Sequence, residues 1–463
     1  MNSKASVQKT ITLREFGEVS LLREDFSFCT ESEFKKTCEK FQPLVTVIPD
    51  LSGRHLAFKA SSKVGVMVYK GLRVQVLPRT SAKEFCTLIR YVLDGNVPEK
   101  LLRSYSDLSW GNGFEDILCA ILCKEVDEVL RIGLSRNYMK RVEPLNVLRG
   151  RPLWERNFPW KGSKAKEIVC RYHCLTYNNL DNRMVLAGLK SAASLAKSAN
   201  VKRGTLQHVQ SFREFASDIF PDHADFDKAI HGYNRLNEHY GVAHGLSKML
   251  VFGLRPESFF KEGMQEVFGI VLDMAHLFEG FVERLMTDVL ERVGFSIRRQ
   301  APDRNALLDN QGCPYARVRP DLEIWRSGKV FGVMDAKYKP YWKASKDGPY
   351  PERKISNEDF YQLFFYQQRL QRRGDLSSPP TALIASPLPD FDEREDRAVI
   401  SERFRRIVWQ AGPERDGDIR LVFIPMTQFL RLLEKGFNPS AAIHELEFNK
   451  IDKLFLAEKS LDT

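Results

Sequence analysis

The sequence predicts a mixed α/β (α+β) chain: a β-rich and helical N-terminal module, then a C-terminal domain with a small sheet flanked by helices. Three observations predict it. Residues 10 to about 80 hold short alternating or β-branched runs broken by Gly, Pro and Ser. Apolar residues then recur at helical spacing through most of the stretch to about 250. Beyond about 260, strand-like and helix-like runs alternate.

Taken in order, "ITLREFGEVSLL", "LVTVIPD", "LAFKA", "KVGVMVYKG" and "LRVQVLPR" read as strands. "AKEFCTLIRYVLDG" and "FEDILCAILCKEVDEVLRIGL" read as helices. Residues 135–180 are mixed, with strands expected around "PLNVLRGRPLW" and "EIVCRYHCLTY", and helix returns from "DNRMVLAGLKSAASLAKS". The last third opens on an expected long helix, "MQEVFGIVLDMAHLFEGFVERLMTDVLERVG". It runs into the strand "FSIRRQ", a two-stranded hairpin, the helix "SNEDFYQLFFYQQRLQRR", the strands "TALIASPL" and "IRLVFIPM", and the helix "TQFLRLLEKGF". The expected order is α-β-β-β-α-β-β-α. The Gly/Pro-containing "GLRPESFFKEG", residues 253–263, marks the main boundary. Three segments are expected: a β-rich 1–110, a mixed and largely helical 111–260, and a C-terminal 261–463.

Composition narrows the function classes. Lys+Arg number 70 against 60 Asp+Glu, and the net charge of +10 admits a phosphate-rich partner. With 43% hydrophobic and 28% charged residues the chain is globular in composition. No apolar run approaches the ~18 residues that span a bilayer. The polar start "MNSKASVQKT" lacks a signal-peptide core, so a soluble, cytoplasmic protein without a membrane partner is expected. The cysteines, including Cys119/Cys123 and Cys170/Cys174, lack zinc-like C-x-x-C spacing and read as reduced thiols. His239 and His244 are five apart with Glu238 outside the pair, so they read as core or surface histidines, not as a zinc-protease motif.

The chemistry concentrates in "RVRPDLEIWRSGKVFGVMDAKYK", residues 317–339. Ser327-Gly328 reads as the tight turn of a hairpin whose strands carry Asp321 and Asp335. Their midpoint is residue 328, so antiparallel pairing sets the two acids across from each other to within about one residue. Period-two alternation puts Asp335 and Lys337 on one face. Two carboxylates held together in apolar surroundings repel unless a cation neutralises them. A hard divalent ion suits oxygen donors, and Mg²⁺ is expected on Asp321, Asp335 and the backbone carbonyl of Ala336. Lys337 would orient a water and stabilise the charge developing on a phosphodiester.

Pro-Asp followed by Asp-x-Lys on adjacent strands, between two helices, resembles the PD-(D/E)xK, restriction-endonuclease-like nuclease superfamily. In that resemblance Glu279 of "LFEGFVERLM" matches the helix acid that completes the metal site. Gln362 and Tyr366, four apart in "QLFFYQ", look like the Q-x-x-x-Y element of the RecB-like subset. The whole chain resembles the McrC family, nuclease subunits of McrBC-type systems that restrict 5-methylcytosine-containing DNA. The residues that carry it are "GLRVQVLPR", "LRGR" (Leu148 to Arg151), "YHCLTYNNLDNRMVL" with Asn182 and Arg183, "LDMAHLFEGFV" and "RPDLEIW…VMDAKYK".

The resemblance implies a DNA endonuclease that works with an McrB-like AAA+ GTPase on double-stranded modified DNA, in a defence, type IV-like role. GTP is then used by the partner, and the absence of a G-x-x-x-x-G-K-[ST] run in this chain agrees. The first 260 residues become the docking and activating module. Basic stretches at "RNYMKR" (136–141), "KGSKAK" (161–166) and "FRRIVW" (404–409) are candidate contacts, with an exposed loop expected at the first. Arg136, Arg141, Arg149 and Arg151 are candidates for stimulating the partner's GTPase. Two other readings stand beside this one: a stand-alone RecB-like repair or recombination nuclease, and a non-catalytic GTPase-activating adaptor.

Overall fold

A computed structural model describes residues 9–22, 24, 26, 31–50, 54–95, 108–157, 167–252, 267–300, 303–308, 310–311, 313–339, 355–374, 376, 379–388, 404–410, 416–448, 451 and 455. It divides the chain into two compact units, one made of residues 1–110 and 256–463, the other of 111–255. The division differs from three consecutive segments. The first and last segments share one unit, because a strand from the last third completes the N-terminal sheet. The expected boundary at 253–263 lies outside the described residues.

The first stretch holds β1 (Lys9–Arg14), β2 (Glu18–Leu22), α1 (Glu31–Phe41), β3 (Val45–Pro49), β4 (His55–Ala60), β5 (Lys63–Tyr69), β6 (Leu72–Leu77) and α2 (Ala82–Asp94). β2, β4 and β3 form a three-stranded antiparallel sheet. The Ser81 and Glu84 side chains close a capping box at the start of α2, and Gly95 ends it in the left-handed conformation.

The second unit holds α3 (Phe114–Ile132), β7 (Asn137–Leu145), β8 (Arg151–Pro152), α4 (Trp154–Asn157), β9 (Ile168–Thr176), α5 (Leu180–Leu195), α6 (Ala199–Arg213), α7 (His223–His231) and α8 (Gly241–Phe252). β7 and β9 pair over nine positions and β8 pairs with β9. "RNYMKR" therefore lies on a strand and its foot, where an exposed loop was expected. The exposure holds, since Arg136 through Val142 are all solvent-exposed. "KGSKAK" lies outside the described residues. His244 is a core residue: one ring nitrogen meets the Tyr233 hydroxyl at 2.8 Å and the other the Asp181 carbonyl at 3.0 Å.

The chain returns as β10 (Val267–Asp273), α9 (Met274–Leu290), β11 (Ser296–Arg299), β12 (Asp303–Leu308), β13 (Pro314–Val318), β14 (Leu322–Arg326), β15 (Lys329–Ala336), α10 (Asn357–Arg373), β16 (Thr381–Pro387), β17 (Phe404–Gln410), β18 (Asp416–Ile424), α11 (Met426–Glu434) and α12 (Pro439–Glu445). The expected long helix from residue 264 begins only at Met274. The preceding VFGIVLD is a strand, paired antiparallel with β5 from Val267↔Tyr69 to Asp273↔Lys63. Gly65 permits this close approach: a Cβ there would sit 2.0 Å from the Ile270 carbonyl oxygen, and its φ is +142°. "FRRIVW" falls on β17. The resulting sheet runs β1-β6-β5-β10, and a second, six-stranded sheet runs β11-β14-β15-β16-β18-β17. In the second, β15, β16 and β18 are parallel neighbours. α10 packs Leu363, Tyr366 and Leu370 against Val333, Ile384, Leu421 and Phe423 of that sheet. Each such apolar side chain contributes about 1.5–3 kcal/mol on burial. Among the described residues no helix is long and apolar enough to cross a membrane.

Candidate active site

The hairpin of β14 and β15 turns at Ser327 and Gly328, both at positive φ (49° and 78°), the pattern of a two-residue turn that matches strand twist. Arg326 pairs with Lys329, and one bulge resets the register between Ile324 and Trp325. Beyond it Leu322 pairs with Met334, so the next positions, Asp321 and Asp335, lie opposite each other. Asp335 is 2% exposed, between buried Met334 and Ala336. The Ala336 N–H donates to Asp321 Oδ2 at 2.8 Å. The N–H and C=O of one strand residue point to the same edge, so the Ala336 carbonyl is aimed towards Asp321.

Lys337 follows the end of β15. Its N–H donates to the Ala385 carbonyl at 2.7 Å, which extends the parallel pairing by one residue. Its Nζ lies 2.5 Å from Asp335 Oδ2 and donates to Gln362 Oε1 at 3.0 Å. The Asp335 contact is a buried ion pair. Gln362 Nε2 donates to the Tyr366 hydroxyl at 2.7 Å, and that hydroxyl donates to the Arg319 carbonyl at 3.2 Å. α10 thus grips the lysine and the segment leading into Asp321 with one chain of hydrogen bonds. Gln362 and Tyr366 meet because residues four apart share a helix face.

Burial dominates the electrostatics. It pushes Asp335 up to about 7, with the Asp321 carboxylate adding to the rise and Lys337 opposing it. Burial also raises Asp321, partly offset by the Ala336 amide. For Lys337 burial favours the neutral amine, but Asp335, Asp359 and Asp321 together push it above its usual value. Glu279 on α9 is raised by burial and then by Asp335. It acts on the carboxylate pair through space. Among the described residues no three His, Cys, Asp or Glu side chains form a ready metal cage.

Sequence reasoning missed Asp359 and Lys339. Asp359 is 3% exposed and lies in the first turn of α10, where its N–H donates to the Ser356 Oγ. It takes Lys339 Nζ at 2.7 Å and lies 4.0 Å from Lys337 Nζ. The signals were present: Ser356 followed three residues on by an acid marks a helix start, and Lys339 shares the face of Lys337. Arg136, Arg141, Arg149 and Arg151 lie in the second unit, all exposed on β7, β8 or their ends. Arg136 stacks on Tyr177 and Arg149 on Tyr172, at 5.4 and 4.4 Å from the ring centroids.

The family model described as "McrBC 5-methylcytosine restriction system component" matches residues 58–376. The chain belongs to the McrBC family. A refined half-complex from a tetradecameric assembly of Thermococcus gammatolerans McrB AAA+ hexamers with bound McrC has a TM-score of 0.56 at 18% identity, covering 93% of this chain and 99% of that one. The McrBC complex of the same organism, seen by cryo-EM, matches at a TM-score of 0.43 and 18% identity, covering 61% of this chain and 88% of that one. No curated protein matches. At these identities the likeness to the half-complex shows a shared fold, which gives this McrBC-family chain the mixed α+β architecture described above.

Proposed function

We propose that this chain is the DNA-cleaving subunit of a GTP-dependent, modification-dependent restriction complex. It hydrolyses phosphodiester bonds of double-stranded modified DNA with Mg²⁺, beside an McrB-like AAA+ GTPase that consumes the GTP, in the cytoplasm. The observation that carries the reading is the pairing of half-buried Asp321 with buried Asp335, with the Lys337 ammonium against it.

The donor set fits Mg²⁺. Asp335 is buried, Asp321 is aligned by the Ala336 amide, and every donor is a hard oxygen. Asp321, Asp335 and the Ala336 carbonyl would hold the ion, which usually keeps several waters. Bound there, Mg²⁺ supplies positive charge against the developing phosphoryl charge and lowers the pKa of an attacking water. The chain's own work is to hold the two carboxylates side by side, and to present the Lys337 ammonium to a non-bridging oxygen. Gln362 fixes that ammonium, and Tyr366 fixes Gln362. Glu279 contributes negative charge at the rim.

Partner docking falls to the second unit in this reading. Its β7–β9–β8 sheet exposes Tyr138, Val147, Leu148 and Trp154 together with Arg141, Arg149 and Arg151. Apolar and guanidinium groups on a protruding ribbon suit a protein partner with acidic or nucleotide-bearing surfaces. The McrB hexamers of the Thermococcus assembly carry bound McrC, and an equivalent AAA+ partner is proposed here.

The test is cleavage of a methylated plasmid with Mg²⁺, GTP and the partner. Asp335→Asn is expected to abolish cutting with the fold intact. Calorimetric titration of Mg²⁺ or Mn²⁺, without DNA, should show binding to the wild type and none to Asp321→Ala/Asp335→Ala. Wild-type cutting by Asp335→Asn would overturn the assignment.

A further inference from the structure

The ladder of β15 ends at the Lys337 amide, and past it Ser386 Oγ donates to the Lys339 carbonyl at 3.0 Å, yet this short segment must aim a cation. Lys337 and Lys339 both reach Asp359, so Tyr338 between them points the other way. It is 8% exposed, and its hydroxyl donates to Glu15 Oε1 at 2.9 Å. The same oxygen accepts the Arg79 N–H at 2.7 Å. The tyrosine ring lies between Phe16, at 5.8 Å, and Phe278, at 5.5 Å between centroids. Phe278 is the neighbour of Glu279 on α9. Glu15 is 1% exposed and sits at the corner leaving β1, where Phe16 takes a φ of 57°. A non-glycine residue in that region is held there by its surroundings.

Filling a core does not need this arrangement. A buried carboxylate is costly to keep, and Glu15 Oε2 is buried with no hydrogen-bond partner. An apolar side chain would pack more cheaply but could not accept from Tyr338. We propose that Glu15 and Tyr338 are positioning residues of the nuclease centre. The corner between β1 and β2 holds the backbone that aims Lys337 at the carboxylate pair, so the N-terminal segment is a working part of the cleavage site. The inference rests on the nuclease reading above.

Three full-length variants test it: Glu15→Gln, which keeps an acceptor oxygen, Glu15→Leu, which does not, and Tyr338→Phe, which removes only the hydroxyl. The first readout is a brief acetic anhydride pulse on metal-free protein, with each lysine quantified by peptide mass spectrometry. Lys337 should react several-fold faster in Glu15→Leu and Tyr338→Phe, with distant lysines unchanged and Glu15→Gln restored to wild type. Cleavage with the partner should fall roughly 10- to 100-fold in kcat at unchanged KM for DNA, the scale expected of a small misplacement. Wild-type labelling of Lys337 in both loss variants overturns the proposal, as does faster labelling of all lysines together, which would report a loosened fold. If the labelling contrast holds but Asp335→Asn cuts normally, the nuclease reading has failed and the positioning of Lys337 stands.

Discussion

Burial and a neighbouring carboxylate lift Asp335 to about 7, so its protonation should show in the stability of the metal-free protein. Its unfolded pKa is near 3.9, and the folded state therefore binds the extra proton between about pH 4 and 7. Stability must fall as pH rises through that window and level off above it. The melting temperature of metal-free protein is expected to drop by roughly 5 °C between pH 5 and 8. Asp335→Asn should flatten much of that slope. The remainder is shared by Glu15, Asp321, Glu279 and Glu434, which burial also raises. Mg²⁺ at pH 8 should restore the loss in the wild type and do nothing for the variant; equal melting curves for both proteins would remove the case for a strained carboxylate pair. Asp321, Asp335 and Lys337 were legible in the sequence because a two-residue turn fixes register and period-two alternation fixes the face. Asp359 carried a local capping signal that was passed over. Glu15 carried none, since its partner lies 323 positions away and no spacing rule spans that distance.

The Asn182 amide ties the two ends of the β7–β9 ribbon together at its root, beside Asn179, whose Nδ2 also donates to the Ser135 carbonyl at 2.9 Å. Asn182 Nδ2 donates to the Ser135 carbonyl at 3.0 Å, just before β7, and to the Tyr177 carbonyl at 2.7 Å, just after β9. Its Oδ1 accepts the Tyr240 hydroxyl at 2.6 Å, and the residue is fully buried. Asn182→Leu keeps the volume but leaves the Tyr177 carbonyl without this donor and the Tyr240 hydroxyl without this acceptor, at about 1–3 kcal/mol for each buried group, while Asn179 Nδ2 still reaches the Ser135 carbonyl. Hydrogen exchange of the 137–145 and 168–176 amides should accelerate, while amides of 381–387 in the other unit keep their rates. Unchanged exchange in the ribbon would show that the amide is dispensable. The N-terminal strands were readable as elements because turn residues bracket each of them. VFGIVLD was misread because it abuts a helix without Gly or Pro between them, and a short apolar run of that kind fits either period. Pairing with β5 decided it as a strand.

At the scale of the molecule, the carboxylate pair and the exposed arginines fall in different units. Asp321→Ala/Asp335→Ala should therefore cut no DNA yet still bind an McrB-like partner and raise its GTP turnover. Turnover is measured with and without the variant, and circular dichroism checks the fold. Collapse of both activities in a folded protein would sink the separation of roles. Five strands of the six-stranded sheet could be foreseen from their apolar runs and the hairpin, while β17 read only as a basic stretch; the shared N-terminal unit could not be foreseen, because it depends on a pairing between distant segments. That pairing also sets an order of events on the ribosome. Val64 waits for Leu272, so roughly 200 residues must be made before β5 gains its partner. At about 5–20 residues per second that is an interval of some 10–40 s. Through it one edge of β5 presents unpaired amides and carbonyls in an apolar strand, a template for mispairing with other chains. The middle unit emerges during this interval with its own core, and the hairpin acids emerge after it. A nascent chain is thus aggregation-prone before its hairpin acids are made, and chaperone supply should limit its production.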